Sequence, residues 1–570
     1  MANDTRRSLS SGVRPATLLF LGASVSQLPS IRYARERGYR VVAVDGNPDA
    51  VAFRYADVAE AVDFSDVDRV AEVGARNRVE GVLAISTDRA VIPAAAVAER
   101  LGLPGIGSEI AVAMTSKSRM RERLAEAGVP QPRFAVLTEH SDAAAALADV
   151  GTPAVLKPVD SGGQRGVFRI ETLAELSQHL PTALSFSRAR EAMLEEYVAG
   201  GELNGLLVAR DGEPTLLTLS DRFRPPGAGF GVGWIHSFPS GLPASALAVA
   251  EAVAKDAVRA LELRDGIAFP QLIVSRDGSV RIVEIAARIP AGQMADLVRH
   301  ATGIELFDIA FAQALGRAVP DTLVERRFSR PVAIRFFTAR PGVLPVGIVR
   351  SLSGLDDVRA APNVLDAGLY FSVGDSIAPV RVDADRMGYV IATGESARTA
   401  LEHADAAAAR LVVETMPPLA QPAKNRPGRR YARRGVAAAV ALALVATVAA
   451  LIWSPGPAGS SRAIVAAAGQ VTSRLSPLCR CALDVARIRF RLLKTTRLSL
   501  EILNAAGRPV DSLINDRVLR PGWTRLTWRG RTRDGQVAAD GAYRPQIALI
   551  SSRTTVNLPQ LISVNDGRHA

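Results

Sequence analysis

Residues 155–166 read VLKPVDSGGQRG, and their types suit the handling of a polyphosphate. Lys157 closes an apolar run that stops at Pro158, and Ser161, Gly162, Gly163 and Gly166 supply a loop with little side-chain bulk. Such a loop can fold backbone N–H groups over phosphate oxygens while the lysine offsets their charge. It is not a Walker loop, because no Gly-Lys-Ser/Thr follows the glycines. An ordinary turn beside a solvated lysine has the same pattern. A second lysine, Lys117, opens a helical stretch that ends at Gly128.

Residues 268–288, AFPQLIVSRDGSVRIVEIAAR, hold the other chemical candidates. Two β-branched runs flank Asp277-Gly278, which predicts a hairpin with a type I′ turn. That turn pairs 276 with 279, 274 with 281 and 271 with 284. Gln271 and Glu284 then face each other with Cβ atoms about 5 Å apart, and alternation brings Ala286 and Arg288 to the same face. An amide oxygen, a carboxylate and a guanidinium converging there suit Mg²⁺ and phosphate; a solvated strand face is the alternative. Residues 193–209 read as strand, connector, strand, bracketed by Glu195 and Glu202. Arg222 and Arg224, ahead of a Gly/Pro loop, could clamp a substrate carboxylate, and His236 could touch substrate. Surface or packing roles account for these three equally well.

The elements that must position these groups form an α/β chain. An apolar strand over 16–21 enters Gly22, a helix runs to about Gly38, and a strand over 40–44 ends at Asp45. This βαβ unit continues with alternating strands and helices to position 108. GxGxxG is absent, so an ordinary turn in a doubly wound domain is as good a reading as a dinucleotide site. Asp88 follows the strand 81–85, where such domains place ligand contacts.

Together these stretches resemble the ATP-grasp family, in particular its carboxylate–amine ligase and carbamoyl-phosphate-synthase-like branch, over residues 15 to about 410. The resemblance implies a pre-ATP-grasp α/β domain at 15–112, the grasp at 113–315 and a C-terminal elaboration at 316–415. It implies ATP contacts from Lys117, Lys157, the loop residues Ser161, Gly162, Gly163 and Gly166, the adenine hinge Glu195, Glu196 and Val198, and the ribose acid Glu202. Gln271 and Glu284 match the Mg²⁺ ligands, for one or two ions, and Arg288 the arginine that stabilises the transferred phosphoryl group. Where the family has Asn after the second metal ligand, this chain has Ala286, which removes an oxygen. The implied activity is ATP-dependent joining of a small carboxylate to an amine through an acyl phosphate. An ATP-binding regulatory or scaffold protein is the alternative that Ala286 raises.

Composition bears on partners. The net charge of +12 is concentrated late: residues 424–434 carry six basic and no acidic side chains, and positions beyond 453 carry eighteen basic and seven acidic. The catalytic part is mildly acidic, and aromatic residues make up 5% of the chain, so nucleic-acid binding is not expected. The only cysteines, Cys479 and Cys481, exclude a thiolate nucleophile from the first 478 residues. Residues 1–14 read as a disordered polar tail and 416–434 as a Pro-rich, basic linker. The uncharged stretch 435–453 would span about 28 Å as a helix, predicting a single transmembrane helix. Its basic flank puts the grasp on the cytoplasmic side of the inner membrane. After a linker at 454–490, short strands and turn signals over 491–570 resemble a FlgD-like Ig β-sandwich, which implies an extracytoplasmic protein partner. Both cysteines would then face an oxidising compartment.

Overall fold

The computed structural model describes residues 15–224, 230–416, 465–467, 474–475, 485–504, 507–550, 554–558 and 562–564. They belong to two compact units, 1–419 and 420–570. The first unit opens with a parallel sheet of four strands, in the order Val58–Glu60, Arg40–Val44, Thr17–Leu21, Gly81–Leu83. Every residue of Thr17–Leu21 is buried. Leu18 and Phe20 face one core while Leu19 and Leu21 face another, as expected of a strand covered on both sides. The carboxylate of Asp45 accepts from the backbone N–H of Ala23 and Asn47, both at 2.8 Å, so it ties down the loop after Gly22.

This sheet is welded to the remainder of the first unit. Phe20 meets Phe311 edge-on at 5.9 Å, and the N–H of Ser86 donates to the carbonyl of Ile289 at 2.9 Å. At Gly81 an added Cβ would lie 2.8 Å from the Ala314 carbonyl oxygen, so only glycine allows that approach. Next comes a four-stranded antiparallel sheet in the order Phe134–Leu137, Ala192–Glu196, Ala154–Pro158, Phe168–Ile170, backed by helices Ala143–Val150 and Leu173–Phe186. An eight-stranded sheet carries the rest of the site. Its first four strands are Val280–Ala286, Gly266–Val274, Gly201–Arg210 and Glu213–Phe223. Beyond Ile235–Phe238 it continues into Val332–Phe336, Gly388–Thr393 and Val364–Leu369. The region expected as an elaboration packed on the grasp therefore also extends its sheet.

The hairpin reaches the expected pairing by a different route. Ser275 bonds to Ser279 across a three-residue loop whose Gly278 has φ +83°, in place of the two-residue turn. Val274 accordingly pairs with Val280, one position short of expectation. An irregularity between Gln271 and Leu272 then absorbs one extra residue, Val283, and restores the opposition of Gln271 and Glu284.

In the second unit, strands Val465–Ala467, Ala486–Leu492 and Gly522–Trp528 form one sheet. Thr496–Leu503, Pro509–Leu519 and Gly541–Leu549 lie in another. Phe490, Trp528, Tyr543 and Ile547 share one core. Trp528, 1% exposed, lies with its ring tilted 55° to that of Tyr543 at 5.1 Å and donates its indole N–H to the Arg531 carbonyl. Trp528→Ala is expected to cost about 3–5 kcal/mol in this unit, read as a lowered urea midpoint.

The expected fold needs two corrections. The first is that the linker expected at 454–490 already contributes Val465–Ala467 and the start of Ala486–Leu492 to a sheet of the second unit. The second is that among the described residues no helix is long and apolar enough to cross a membrane. The seventeen-residue helix Ala244–Ala260 carries Glu251, Lys255, Asp256 and Arg259, which bar it from a bilayer core. Residues 435–453, the 1–14 tail, the 417–434 part of the linker and both cysteines lie outside the described residues.

Candidate active site

Four elements bring charge to one place. The strand Ala154–Pro158 delivers Lys157, the helix Lys117–Glu126 delivers Lys117 and Arg121, the strand Ala192–Glu196 delivers Glu195, and the hairpin delivers Gln271 and Glu284. Lys157 Nζ lies 2.6 Å from Glu195 Oε2, and Lys117 Nζ lies 3.0 Å from Glu284 Oε1. Arg121, 1% exposed, donates Nε and Nη2 to Glu195 Oε1 at 2.9 and 2.7 Å. Its remaining N–H groups reach the carbonyls of Ile282 and Val283 at 2.8 and 2.7 Å and Gln131 Oε1 at 3.2 Å, so one guanidinium neutralises Glu195 and serves the carbonyls at the bulge.

Burial of Lys157, beside Arg121 and Lys117, lowers its pKa despite Glu195. For Lys117 burial works in the same direction, but Glu284, with Asp88 and Glu195 behind it, raises the pKa above the ordinary lysine value. Glu195 is held below the carboxylate range by Arg121 and Lys157, against the effect of burial. The result is a desolvated cluster of both signs, with each lysine set against a carboxylate.

Arg288 stands just beyond the hairpin. Its Nε and Nη2 donate to the two oxygens of Asp88 at 2.7 and 2.9 Å, while Nη1 is buried without a partner. Burial opposes the charge on Asp88, but Arg288 and Lys117 hold its pKa below the usual range. Asp88 Oδ2 would lie 3.1 Å from a Cβ at Gly162, so the glycine loop passes close over this pair. Asp88 is thus a positioning residue that orients Arg288 toward the loop. Asp88→Asn is expected to lower kcat by roughly 10-fold to 100-fold with the nucleotide KM unchanged, and Asp88→Glu to recover part of it. A parallel loss of nucleotide affinity would indicate a structural role instead.

A pocket runs between the two sheets. Lys117, Lys157, Ser161, Gly162, Gly163, Glu195, Gln271 and Glu284 line its charged end. Val155, Val198, Leu203 and Ile273 provide apolar lining, with Glu196, Tyr197 and Phe230 around them. This geometry fits a flat heterocycle followed by phosphates. Gly166 is not in the lining; a Cβ there would lie 2.8 Å from the Phe186 ring. Gln271 and Glu284 offer one amide oxygen and one carboxylate, and no group of three or more His, Cys, Asp or Glu side chains able to hold a metal occurs among the described residues. That donor set fits Mg²⁺ held largely by phosphate oxygens and water. Ala286, 5% exposed and paired with Phe269, adds no oxygen.

Several of the expected residues have partners within the fold. The Glu195 carboxylate, at the expected adenine hinge, is held by Lys157 and Arg121. Glu202 is paired with both Arg222 and Arg224, and all three line the same pocket. His236, 4% exposed, lies 3.0 Å from Asn204 Nδ2 and against the Phe336 ring. Its burial, with Arg222 and Arg386 nearby, puts its pKa well below the ordinary imidazole value. It is a packing residue. Arg121 is not singled out by the sequence; its one signal is its place a helical turn after Lys117.

Residues 122–292 match the ATP-grasp domain, and residues 335–416 match the L-amino acid ligase C-terminal domain 2. Both domains are present in the first unit, and neither match reaches the sheets beyond position 416. The chain is 28% identical over 318 residues to the uncharacterized protein y4rH of Sinorhizobium fredii, covering 53% of this chain and 62% of that protein. It is 25% identical over 298 residues to the carbamoyl phosphate synthase large chain of Methanoregula boonei, covering 50% of this chain and 28% of that one. The chain therefore spans less than two-thirds of the length of these curated relatives. The crystal structure of L-amino acid ligase from Bacillus licheniformis is similar with a TM-score of 0.61 at 20% identity, covering 71% of this chain and 100% of that one. That likeness establishes an ATP-grasp α/β fold.

Proposed function

We propose that the first unit is an ATP-dependent carboxylate–amine ligase. The observation that carries this reading is the convergence of Lys157, Lys117, Glu284 and Gln271 at one end of an apolar-lined pocket, with a buried arginine donor left free on Arg288. A carboxylate oxygen attacks the γ-phosphorus of ATP, the bond from that phosphorus to the β–γ bridging oxygen breaks, and ADP leaves with the electron pair. The product is an acyl phosphate. An amine nitrogen then attacks the acyl carbon, the C–O bond to phosphate breaks, and the nitrogen gives up its proton to solvent. Lys117 and Lys157 offset phosphate charge through the first step, and Arg288 Nη1 takes the oxygens of the transferred group. Mg²⁺ at Gln271 and Glu284 would supply further charge neutralisation on the phosphates when bound. The loop at 161–166 covers the intermediate against water.

The test is phosphate release from ATP with the full chain, screened over small carboxylic acids with hydroxylamine as a general amine. Acid-dependent release with acyl hydroxamate as product supports the reading. ATP binding without release for any acid would favour the regulatory alternative raised by Ala286.

A further inference from the structure

A second cavity of about 720 Å³ lies between the N-terminal sheet and the grasp, and of its lining only Arg288 enters the reaction so far. Its walls come from the strand Gly81–Leu83, the helices Val91–Leu101 and Leu306–Ala314, and the hairpin just past Ala286. Small side chains make the room: Ala94, Ala95 and Ala98 on one side, Ala287 and Ala314 on the others. The lining also carries both signs, with Asp211, Glu213 and Asp265 beside Arg210 and Arg317. Arg288 lines the cavity as well. Its Nη1 is buried with no partner, whereas both Asp88 oxygens are already taken. An anion is therefore matched there, and no free carboxylate beside it matches an ammonium group.

We infer that this cavity holds the body of the carboxylate substrate: an apolar carboxylic acid whose carboxylate takes one N–H of Arg288 Nη1, the other N–H being left to the transferred phosphoryl group, and whose hydrocarbon tail fills the space between the alanines. This rests on the ligase reading and names its acid. Arg288 borders the cavity and, through Asp88, touches the glycine loop, so an acid seated this way presents its oxygens toward the transferred phosphoryl group. Chain length is selected by the alanine walls, because tail carbons gain only where they leave water for apolar surface.

The experiment titrates straight-chain acids from butyrate to decanoate against the full chain with ATP present, by ligand-observed NMR, and measures acyl hydroxamate in parallel. Ala94→Leu and Ala314→Leu fill the cavity from opposite walls. Affinity is expected to rise by about fourfold per methylene through octanoate. In either variant octanoate is expected to weaken at least tenfold while butyrate holds. A series flat with chain length, or octanoate binding unchanged in both variants, overturns the assignment. If a variant fails to fold, the wild-type series decides. Length-dependent binding without any hydroxamate would retain the cavity as an anion site and refute the ligase reading. Hydroxamate formed only from acids indifferent to both variants would do the reverse.

Discussion

Arg121→Met is expected to lower the unfolding free energy of the first unit by about 3–5 kcal/mol, the cost of leaving a buried charge without its partner. Glu195 is 3% exposed and would keep only Lys157, itself desolvated. The carbonyls of Ile282 and Val283 would lose their donors in the same step. Arg121→Lys is expected to recover little, because a single ammonium cannot reproduce the planar fork that serves two strands at once. Arg119→Ala is the control: its pair with Glu122 is exposed at 67% and 50% and is worth under about 1 kcal/mol. Urea unfolding of the three variants checks the ranking, and equal midpoints for Arg121→Met and Arg119→Ala would refute it.

Lys157→Ala and Glu284→Gln are each expected to lower kcat/KM by roughly 10²–10³-fold while the unit stays folded. On the proposed reading both side chains act on phosphate charge, and neither fills a core. Removing Lys157 leaves Glu195 with Arg121, so circular dichroism should show the native signal. Glu284→Gln removes the one carboxylate at the expected Mg²⁺ position and the partner of Lys117. The half-saturating Mg²⁺ concentration should rise in Glu284→Gln and hold in Lys157→Ala. Rates within tenfold of the parent in either variant would remove that residue from the chemistry.

Legibility in the sequence divides along a physical line. Local chemistry is legible: a lysine at a strand end, glycines after it, and an Asp-Gly turn between β-branched runs. The opposition of Gln271 and Glu284 comes out of a turn of the wrong length, because a bulge in the middle of the hairpin cancels the error. The state of charge compensation is not legible. Glu195 meets Arg121 across 74 positions, and Arg288 meets Asp88 across 200. No pattern within either segment records the partner. His236 looks chemical for the same reason: only the fold shows that its ring is buried beside Asn204 and Phe336. The continuation of the grasp sheet into Val332–Phe336 and Gly388–Thr393 is likewise a long-range pairing without a local signature.

The bulge at Val283 has a consequence for how this chain tolerates change. It divides the hairpin into two registers, one set by the loop around Gly278 and the other set by the strand neighbours of Gln271. Arg121 grips the boundary between them through two carbonyls. Insertions or deletions at the tip are therefore absorbed before they reach Glu284. Length variation that would flip every side chain in a regular hairpin is confined here to residues 272–282.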